Sequence, residues 1–282
     1  MTSLLIFGSS GYIGRHLIPI LLQQGGFQVT AVSSQPEGIG LCSGANDSRH
    51  PMIGSLHELP LTIANDHDIV INLASAGVAH KDANGVDILT ANLNIARRVC
   101  LFAAATRKRT LLHLGSDTEQ AHQITCADFE PHTSTARGQG KPELTMYSLS
   151  KAVQSMIIRY YSFELGLDAH VIRCPNIYGG DDPPLSLLGT MKAAAGAGQP
   201  FSLRNPKAQK RFMHISAFSS HLISWLQDLG ERKTCRDGPG HFEMSSIDFV
   251  RTTTVASFAR QQWELLGADR SLFMADDISQ QQ

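Results

Sequence analysis

The sequence predicts an α/β protein: a doubly wound parallel sheet with a small C-terminal lobe. Three observations carry this. Short apolar runs alternate with helical patterns, a glycine-rich turn follows the first apolar run, and the composition changes after Pro175.

In chain order, Leu4 to Phe7 is a short buried strand by pattern, and the turn Gly8, Ser9, Ser10, Gly11 follows at once. A helix then runs to about Gln24, closed by Gly25 and Gly26 and interrupted by Pro19, where a kink or tolerated distortion is expected. Phe27 to Val32 and Asp68 to Leu73 are the next clear strands, separated by a loop-like stretch rich in Gly, Ser, Pro and Asn with at most a short strand at Met52 and Ile53. Asp87 to Ala105 has helical periodicity, Thr110 to Leu114 is a strand, and residues 118 to 145 form a long polar loop of the kind that covers a site. Tyr147 to Leu165 returns to helix, ended by Gly166, and Ala169 to Arg173 is a further strand. Residues 1–174 are expected to form the nucleotide-binding part. Residues 175–282 would mainly build a substrate-binding lobe, with some segments returning to the first part; their clearest helices are Phe218 to Leu229 and Asp248 to Leu266.

Apolar residues make up 42% of the chain and charged residues 17%, a globular balance. With 24 basic and 25 acidic side chains the formal charge is -1, which offers no general attraction for nucleic acid or an anionic membrane. The N-terminal run is broken by glycines and has no basic leader, and no run approaches the roughly 18 apolar residues of a spanning helix. Five widely spaced cysteines (Cys42, Cys100, Cys126, Cys174, Cys235) argue against a disulfide framework and for a cytoplasmic location. His113, His214 and His241 are far apart in sequence and lack ligand spacing, so no metal is expected. Trp225 and Trp263 lie in helical apolar patterns and read as core or interface anchors, not as platforms for bases.

Gly8, Gly11 and Gly14 sit at the first, fourth and seventh positions of a strand-turn-helix segment, with Tyr12 and Ile13 in the first helical turn. Such glycines permit a tight turn, close approach of a pyrophosphate and tight helix–strand packing, while helix N–H groups face the phosphates. They also occur in purely structural turns, but their position directly after an N-terminal strand favours a dinucleotide site in a Rossmann-type sheet. An acid commonly stands at the end of the second strand to bind a free ribose 2′-hydroxyl; here Ser33 and Ser34 stand there. NAD or NADP could therefore bind, with NADP preferred.

Tyr147 and Lys151 are four residues apart on a predicted helix and share a face. A nearby ammonium would lower the phenol's pKa toward the working range, so Tyr147 could give or take a proton. Lys151 could also hold the nicotinamide ribose, and Ser116, just past a strand, could polarise a substrate oxygen or cap the following turn.

These motifs in this order resemble the extended short-chain dehydrogenase/reductase family, specifically its NAD-dependent epimerase/dehydratase branch that acts on nucleotide sugars. The resemblance spans almost the whole chain: GSSGYIG at 8–14, DIVINLAS at 68–75, Asn92, LGSD at 114–117, YSLSK at 147–151, RCPNIYG at 173–179 and KRFMHI at 210–215. It implies that Gly8, Gly11, Ile13 and Gly14 surround the pyrophosphate, that Ala74 lies near the adenosine and that Asn92 organises the sheet beneath. It further implies a catalytic trio of Ser116, Tyr147 and Lys151, with Asn176 and Arg211 at the substrate diphosphate. A homodimer built on the Tyr147 helix and the helix near residues 87–105 is implied as well.

Departures refine the expectation. Serine replaces an acid at Ser33 and at Ser55, and Asn72 stands where a histidine is common. Asp117 resembles the substrate-side acid of sugar dehydratases, but Thr118 stands where their glutamate would be, which disfavours loss of water. Arg173 reads as a structural strand-end residue. The expected reaction is hydride transfer at C4 of a nucleotide-linked sugar, with epimerisation as the alternative and a non-turning-over dinucleotide sensor as a third reading. The little chain left after Asp248 would also suit a smaller carbonyl substrate.

Overall fold

The computed structural model describes residues 1–34, 52–53, 56, 58–77, 85–122, 145–231 and 239–274. The chain divides into two compact units, residues 1–174 with 219–246, and residues 175–218 with 247–282.

In the first unit, strands β1 (Thr2–Phe7), β2 (Phe27–Ser33), β3 (Met52–Ile53), β4 (Ile69–Asn72), β5 (Thr110–Ser116), β6 (Asp168–Cys174) and β10 (His241–Ser246) form one sheet in the order β10-β6-β5-β4-β1-β2-β3. Every pairing is parallel. Strands buried on both faces have no polar side to show, which is why LLIF and IVIN read as continuous apolar runs. Leu5, Phe7, Val70, Leu111, Ala169 and Val171 pack with Ala96, Val99 and Phe102 of α2 (Gly85–Ala105) and Ile158 of α3 (Met146–Leu165). The opposite face carries α1 (Tyr12–Gln24) and the part of α5 (Ile215–Glu231) that belongs to this unit.

From β1 to β6 the strands and α-helices follow the sequence expectation with physical exceptions, whereas β10 was not expected. Helix α1 stays one helix through Pro19, which lies on its exposed side. Strand β5 runs two residues past the expected end, through Gly115 to Ser116. Among the described residues one helix, Asp87–Ala105, is by length and composition apolar enough to cross a bilayer, although Asn92, Asn94, Arg97 and Arg98 interrupt its apolar run. Its buried Ala96, Val99, Cys100, Phe102 and Ala103 pack in the sheet core, so it is a core helix.

The second unit has a three-stranded sheet, β11-β9-β7, from β7 (Asn176–Tyr178), β9 (Gln209–His214) and β11 (Thr252–Thr254). A two-stranded parallel pair joins β8 (Phe201–Ser202) to β12 (Phe273–Met274). Helices α4 (Leu187–Gly196) and α6 (Val255–Leu265) pack around Leu188, Met191, Phe201, Phe258 and Trp263. Of these elements α4, β7, β8, β9 and β12 were not expected. The helix expected over Asp248 to Leu266 begins only at Val255. Three consecutive β-branched threonines pair antiparallel with β9 instead, and Thr254 then caps α6 by accepting from the Ser257 N–H.

Candidate active site

The sheet order reverses between β1 and β4, so their C-terminal ends open a crevice of the type in which α/β sheets bind ligands. Gly8 follows β1 directly. Its φ is +83°, and a Cβ there would lie 2.6 Å from the Ala74 amide nitrogen. A Cβ on Gly14 would lie 2.5 Å from the carbonyl oxygens of Gly8 and Ser9, so the α1 helix and the turn touch backbone to backbone. The Gly11 N–H donates to the Gly8 carbonyl at 3.1 Å. Helix α1 has Gly11 at its N-cap, no side chain capping it and no acid in its first turn. That absence leaves the helix N-terminus suited to an anion, and Tyr12 and Ile13 lie in the same first turn. The cradle therefore fits a dinucleotide pyrophosphate.

At the end of β2, Ser33 is buried and donates to Ser10 Oγ at 2.8 Å, while Ser9 Oγ donates to the Val32 carbonyl at 2.9 Å. Ser33 thus braces the glycine turn, and Ser34 is exposed beside it. Ser55 lies outside the described residues. Ala74 is half-buried, and its N–H donates to Asn72 Oδ1 at 3.2 Å. Asn92, fully buried, accepts the Ala76 N–H at 2.8 Å and donates to Ser150 Oγ at 2.8 Å, which fastens the loop after β4 to α3.

Helix α3 starts with a capping box: Thr145 and Ser148 bond to each other's backbone N–H groups. Tyr147 stands in that first turn, half-buried, and Lys151 lies one turn on, only 2% exposed. The Lys151 ammonium donates to the Leu114 carbonyl at 2.8 Å and Gln154 Oε1 at 2.7 Å, and His113 Nε2 is 3.3 Å away. Burial lowers its pKa to about 8, partly offset by Glu119 and Cys174. Burial and the Lys151 charge hold His113 well below its usual pKa, so it is a neutral imidazole, with Asn72 Nδ2 2.8 Å from its other nitrogen.

Tyr147 departs from the sequence expectation. Burial pushes its phenol up to about 12, with Cys174 and Glu119 acting in the same direction and a hydrogen bond with Ser75 opposing them. Lys151 does not contribute the expected lowering; its ammonium is directed at the Leu114 carbonyl, Gln154 Oε1 and His113. In this state the Tyr147 phenol keeps its proton across the neutral range.

Ser116 ends β5 opposite Cys174 of β6. Its Oγ accepts from the Thr118 N–H at 3.3 Å and lies 2.9 Å from Thr118 Oγ1, so it caps the 3-10 turn Asp117–His122. Asp117 is half-buried at the head of that turn. Most of the long loop expected after it, residues 123–144, lies outside the described residues.

Glu119 is the residue that sequence reasoning missed. It is buried; its Oε1 accepts the Ser116 N–H at 2.6 Å and its Oε2 accepts Ser155 Oγ–H at 2.7 Å, with Arg173 Nε 3.9 Å away. Burial raises its pKa, against Ser155, Lys151, Ser116 and Arg173, which lower it. Gly115 admits the carboxylate, since a Cβ there would lie 2.5 Å from Oε1. The signal was present as Ser116-x-x-Glu119, the spacing by which a glutamate reaches back to the N-cap N–H.

Asn176 and Arg211 come together in the second unit. Asn176 Nδ2 donates to the Arg211 carbonyl at 3.0 Å, and Arg211 Nη1 donates to the Ile247 carbonyl at 2.8 Å.

Residues 4–227 match the NAD dependent epimerase/dehydratase family. The chain belongs to that family. It is an enzyme family, so the expectation of an enzyme with a Rossmann-type sheet holds. No curated protein matches the chain. Solved structures share the fold at low identity. A UDP-N-acetylglucosamine 4-epimerase from Methanobrevibacter ruminantium is 15% identical over 97% of this chain and 84% of its own, with a TM-score of 0.73. A dTDP-glucose 4,6-dehydratase from Streptomyces venezuelae with NAD bound is 18% identical over 98% and 87%, TM-score 0.73. A UDP-glucuronic acid 4-epimerase from Bacillus cereus, in complex with UDP-glucuronic acid and NAD, is 15% identical over 97% and 86%, also at 0.73.

Proposed function

We propose that this enzyme uses NAD to move a hydride at C4 of a nucleotide-linked sugar, with Tyr147 as the acid/base. The observation that carries the reading is Lys151. A fully buried ammonium costs stability, and its place beneath the Ser116 end of β5, one helical turn from Tyr147, is the kind of perturbed group that active sites hold. NAD replaces the preference for NADP drawn from Ser33 and Ser34. The family description names NAD, two of the similar structures carry it, and Ser33 is spent on Ser10.

Bound at the glycine cradle, NAD supplies the hydride acceptor or donor. Tyr147, protonated across the neutral range, gives its proton to the sugar oxygen in the reducing direction, and Ser116 Oγ orients that oxygen. Lys151 would hold the nicotinamide ribose, and would favour loss of the phenol proton, once its ammonium turns from Gln154 and His113 toward the bound cofactor. Asn176 and the Arg211 guanidinium bind the substrate diphosphate, whose oxygens match a planar fork of donors. Dehydration is disfavoured: Thr118 offers no carboxyl, and both oxygens of Glu119 are engaged by Ser116 and Ser155. The family description keeps epimerisation as the second reading. Incubation with NAD or NADH across UDP- and dTDP-linked hexoses and their 4-keto forms decides it. Oxidoreduction consumes cofactor mole for mole, epimerisation interconverts C4 stereoisomers with no net consumption, and saturable NAD binding without product on the whole panel would reject catalysis.

The same reading makes the chain a cytoplasmic homodimer. Met156, Tyr160 and Phe163 are exposed at spacings of four and three on α3, an apolar stripe suited to a second copy of the helix. The Tyr160→Glu/Phe163→Glu double variant is expected to sediment as a monomer where the parent sediments as a dimer. A parent that sediments as a monomer at micromolar concentration overturns this.

A further inference from the structure

The histidines gave no metal spacing in the sequence, yet the edge of the sheet gathers four metal-type ligands. Strands β6 and β10 pair in parallel with His241 opposite Asp168 and Glu243 opposite His170. Residues two apart on a strand share a face, so the four side chains form a two-by-two ladder on one side of the sheet. Asp168 Oδ1 lies 2.9 Å from His170 Nε2 and 2.8 Å from His241 Nδ1. All three ligand atoms fall within 4.8 Å of one another.

We propose that Asp168, His170 and His241 bind one divalent cation of the zinc class, which clasps the edge strand β10 to the body of the sheet.

Zinc bonds nitrogen at about 2.0–2.1 Å and carboxylate oxygen at about 2.0–2.2 Å, so its ligand atoms stand about 3.3–3.5 Å apart in a tetrahedron. Both contacts to Asp168 Oδ1 need to open by only a few tenths of an ångström to reach that spacing, and the gap between the two imidazoles closes by rotation of His241. The His241 ring is 55% exposed at the rim and can turn once a metal takes the place of its bond to Asp168, whereas His170 is 2% exposed and packed against Trp225. Glu243 Oε2 lies 3.2 Å from His170 Nδ1, yet that nitrogen is buried and makes no hydrogen bond, so the carboxylate is near it without being aligned to it. When a metal takes Nε2, the ring proton sits on Nδ1, and a turn of the Glu243 carboxylate toward that unsatisfied nitrogen gives the outer carboxylate that orients metal-binding histidines generally. Two imidazoles and one carboxylate select zinc, cobalt or nickel over magnesium or calcium, which prefer oxygen alone, and water completes the coordination.

Asp168 and His241 are the first residues of their strands, while the glycine cradle follows the last residue of β1. In a parallel sheet these are opposite ends, so the cation is structural and stands apart from the proposed hydride transfer. Among the described residues strand β10 has one sheet neighbour, β6, and an edge strand gains most from such a clasp.

Trp225 reports on the site, because its ring meets the His170 ring edge to face with centroids 4.9 Å apart. The test uses the full, untagged chain stripped with a chelator and titrated with Zn²⁺ alone by calorimetry, and with Co²⁺ by tryptophan fluorescence. The expected result is uptake of one equivalent of Zn²⁺, a rise in melting temperature, and Co²⁺ quenching that Trp225→Phe removes while Zn²⁺ uptake persists. Glu243→Gln should weaken affinity about 10- to 100-fold, the usual effect of losing an outer partner, and His241→Ala should weaken it more. His241 is exposed, so its variant should retain the parent's circular dichroism; His214→Ala, in the second unit, should bind as the parent does. Absence of saturable one-equivalent uptake, uptake that survives His241→Ala, or equal uptake of Mg²⁺ overturns the proposal.

Discussion

Replacing Tyr147 by phenylalanine is expected to lower turnover on a nucleotide-linked hexose by about 10²–10⁴-fold with NAD affinity unchanged. In the proposed reaction the phenol passes a proton to the sugar oxygen, and with a pKa pushed up to about 12 it carries that proton throughout the neutral range. The oxidising direction is harder, since burial, Cys174 and Glu119 all resist the phenolate. Oxidation by the parent should therefore quicken as pH rises through neutrality, and the phenylalanine variant should show no such rise. The substitution removes the hydrogen bond with Ser75, a loss of about 1 kcal/mol, so the variant remains folded and its near-ultraviolet circular dichroism matches the parent. Initial rates and a parallel NAD titration check both parts; turnover within about tenfold of the parent would remove Tyr147 from the chemistry.

The features legible in the sequence are those whose cause is local. The apolar runs of β1 and β4 are buried on both faces, so their patterns are unbroken, and the glycine spacing after β1 reports a backbone approach that no side chain could tolerate. The Tyr147 and Lys151 pairing was legible because one helical turn sets it. What the sequence did not disclose depends on contacts between distant segments. The change of composition after Pro175 hid α4, which follows Gly179, Gly180, Pro183 and Pro184 with Ser186 as its cap. Thr252 to Thr254 became a strand because β9 was there to pair with them. Asp168, His170 and His241 meet only because β10 returns to the far edge of the sheet. The direction of the Tyr147 shift was misjudged for the same reason: helical spacing places Lys151 one turn away, but burial of the phenol, which packing between distant segments sets, pushes it up.

Glu119→Ala is expected to destabilise the enzyme by about 2–4 kcal/mol, because it strands the Ser116 N–H and the Ser155 hydroxyl in the interior. It also removes the negative charge that favours the ammonium of Lys151 and the guanidinium of Arg173. Glu119→Gln should cost far less, because the amide oxygen still accepts from Ser116 and the geometry beneath the β5 end is kept. The two substitutions separate hydrogen bonding from charge, and pH separates them further. The folded-state pKa of Glu119 lies above its unfolded value of 4.5, so between the two the native state holds more protons than the unfolded chain. The stability contributed by this group is fully present below pH 4.5 and is lost as pH rises through the raised value. Lys151 acts at the other end. Its folded pKa of about 8 lies below the unfolded 10.5, so the unfolded chain binds more protons in that window and stability recovers as pH rises from about 8 toward 10.5. Urea unfolding of the NAD-free enzyme across this range should show a decline above pH 4.5 that is shallower in Glu119→Gln than in the parent. If the glutamine variant is as unstable as the alanine variant at pH 7, the carboxylate's charge, and not its hydrogen bonds to Ser116 and Ser155, holds this end of the sheet together.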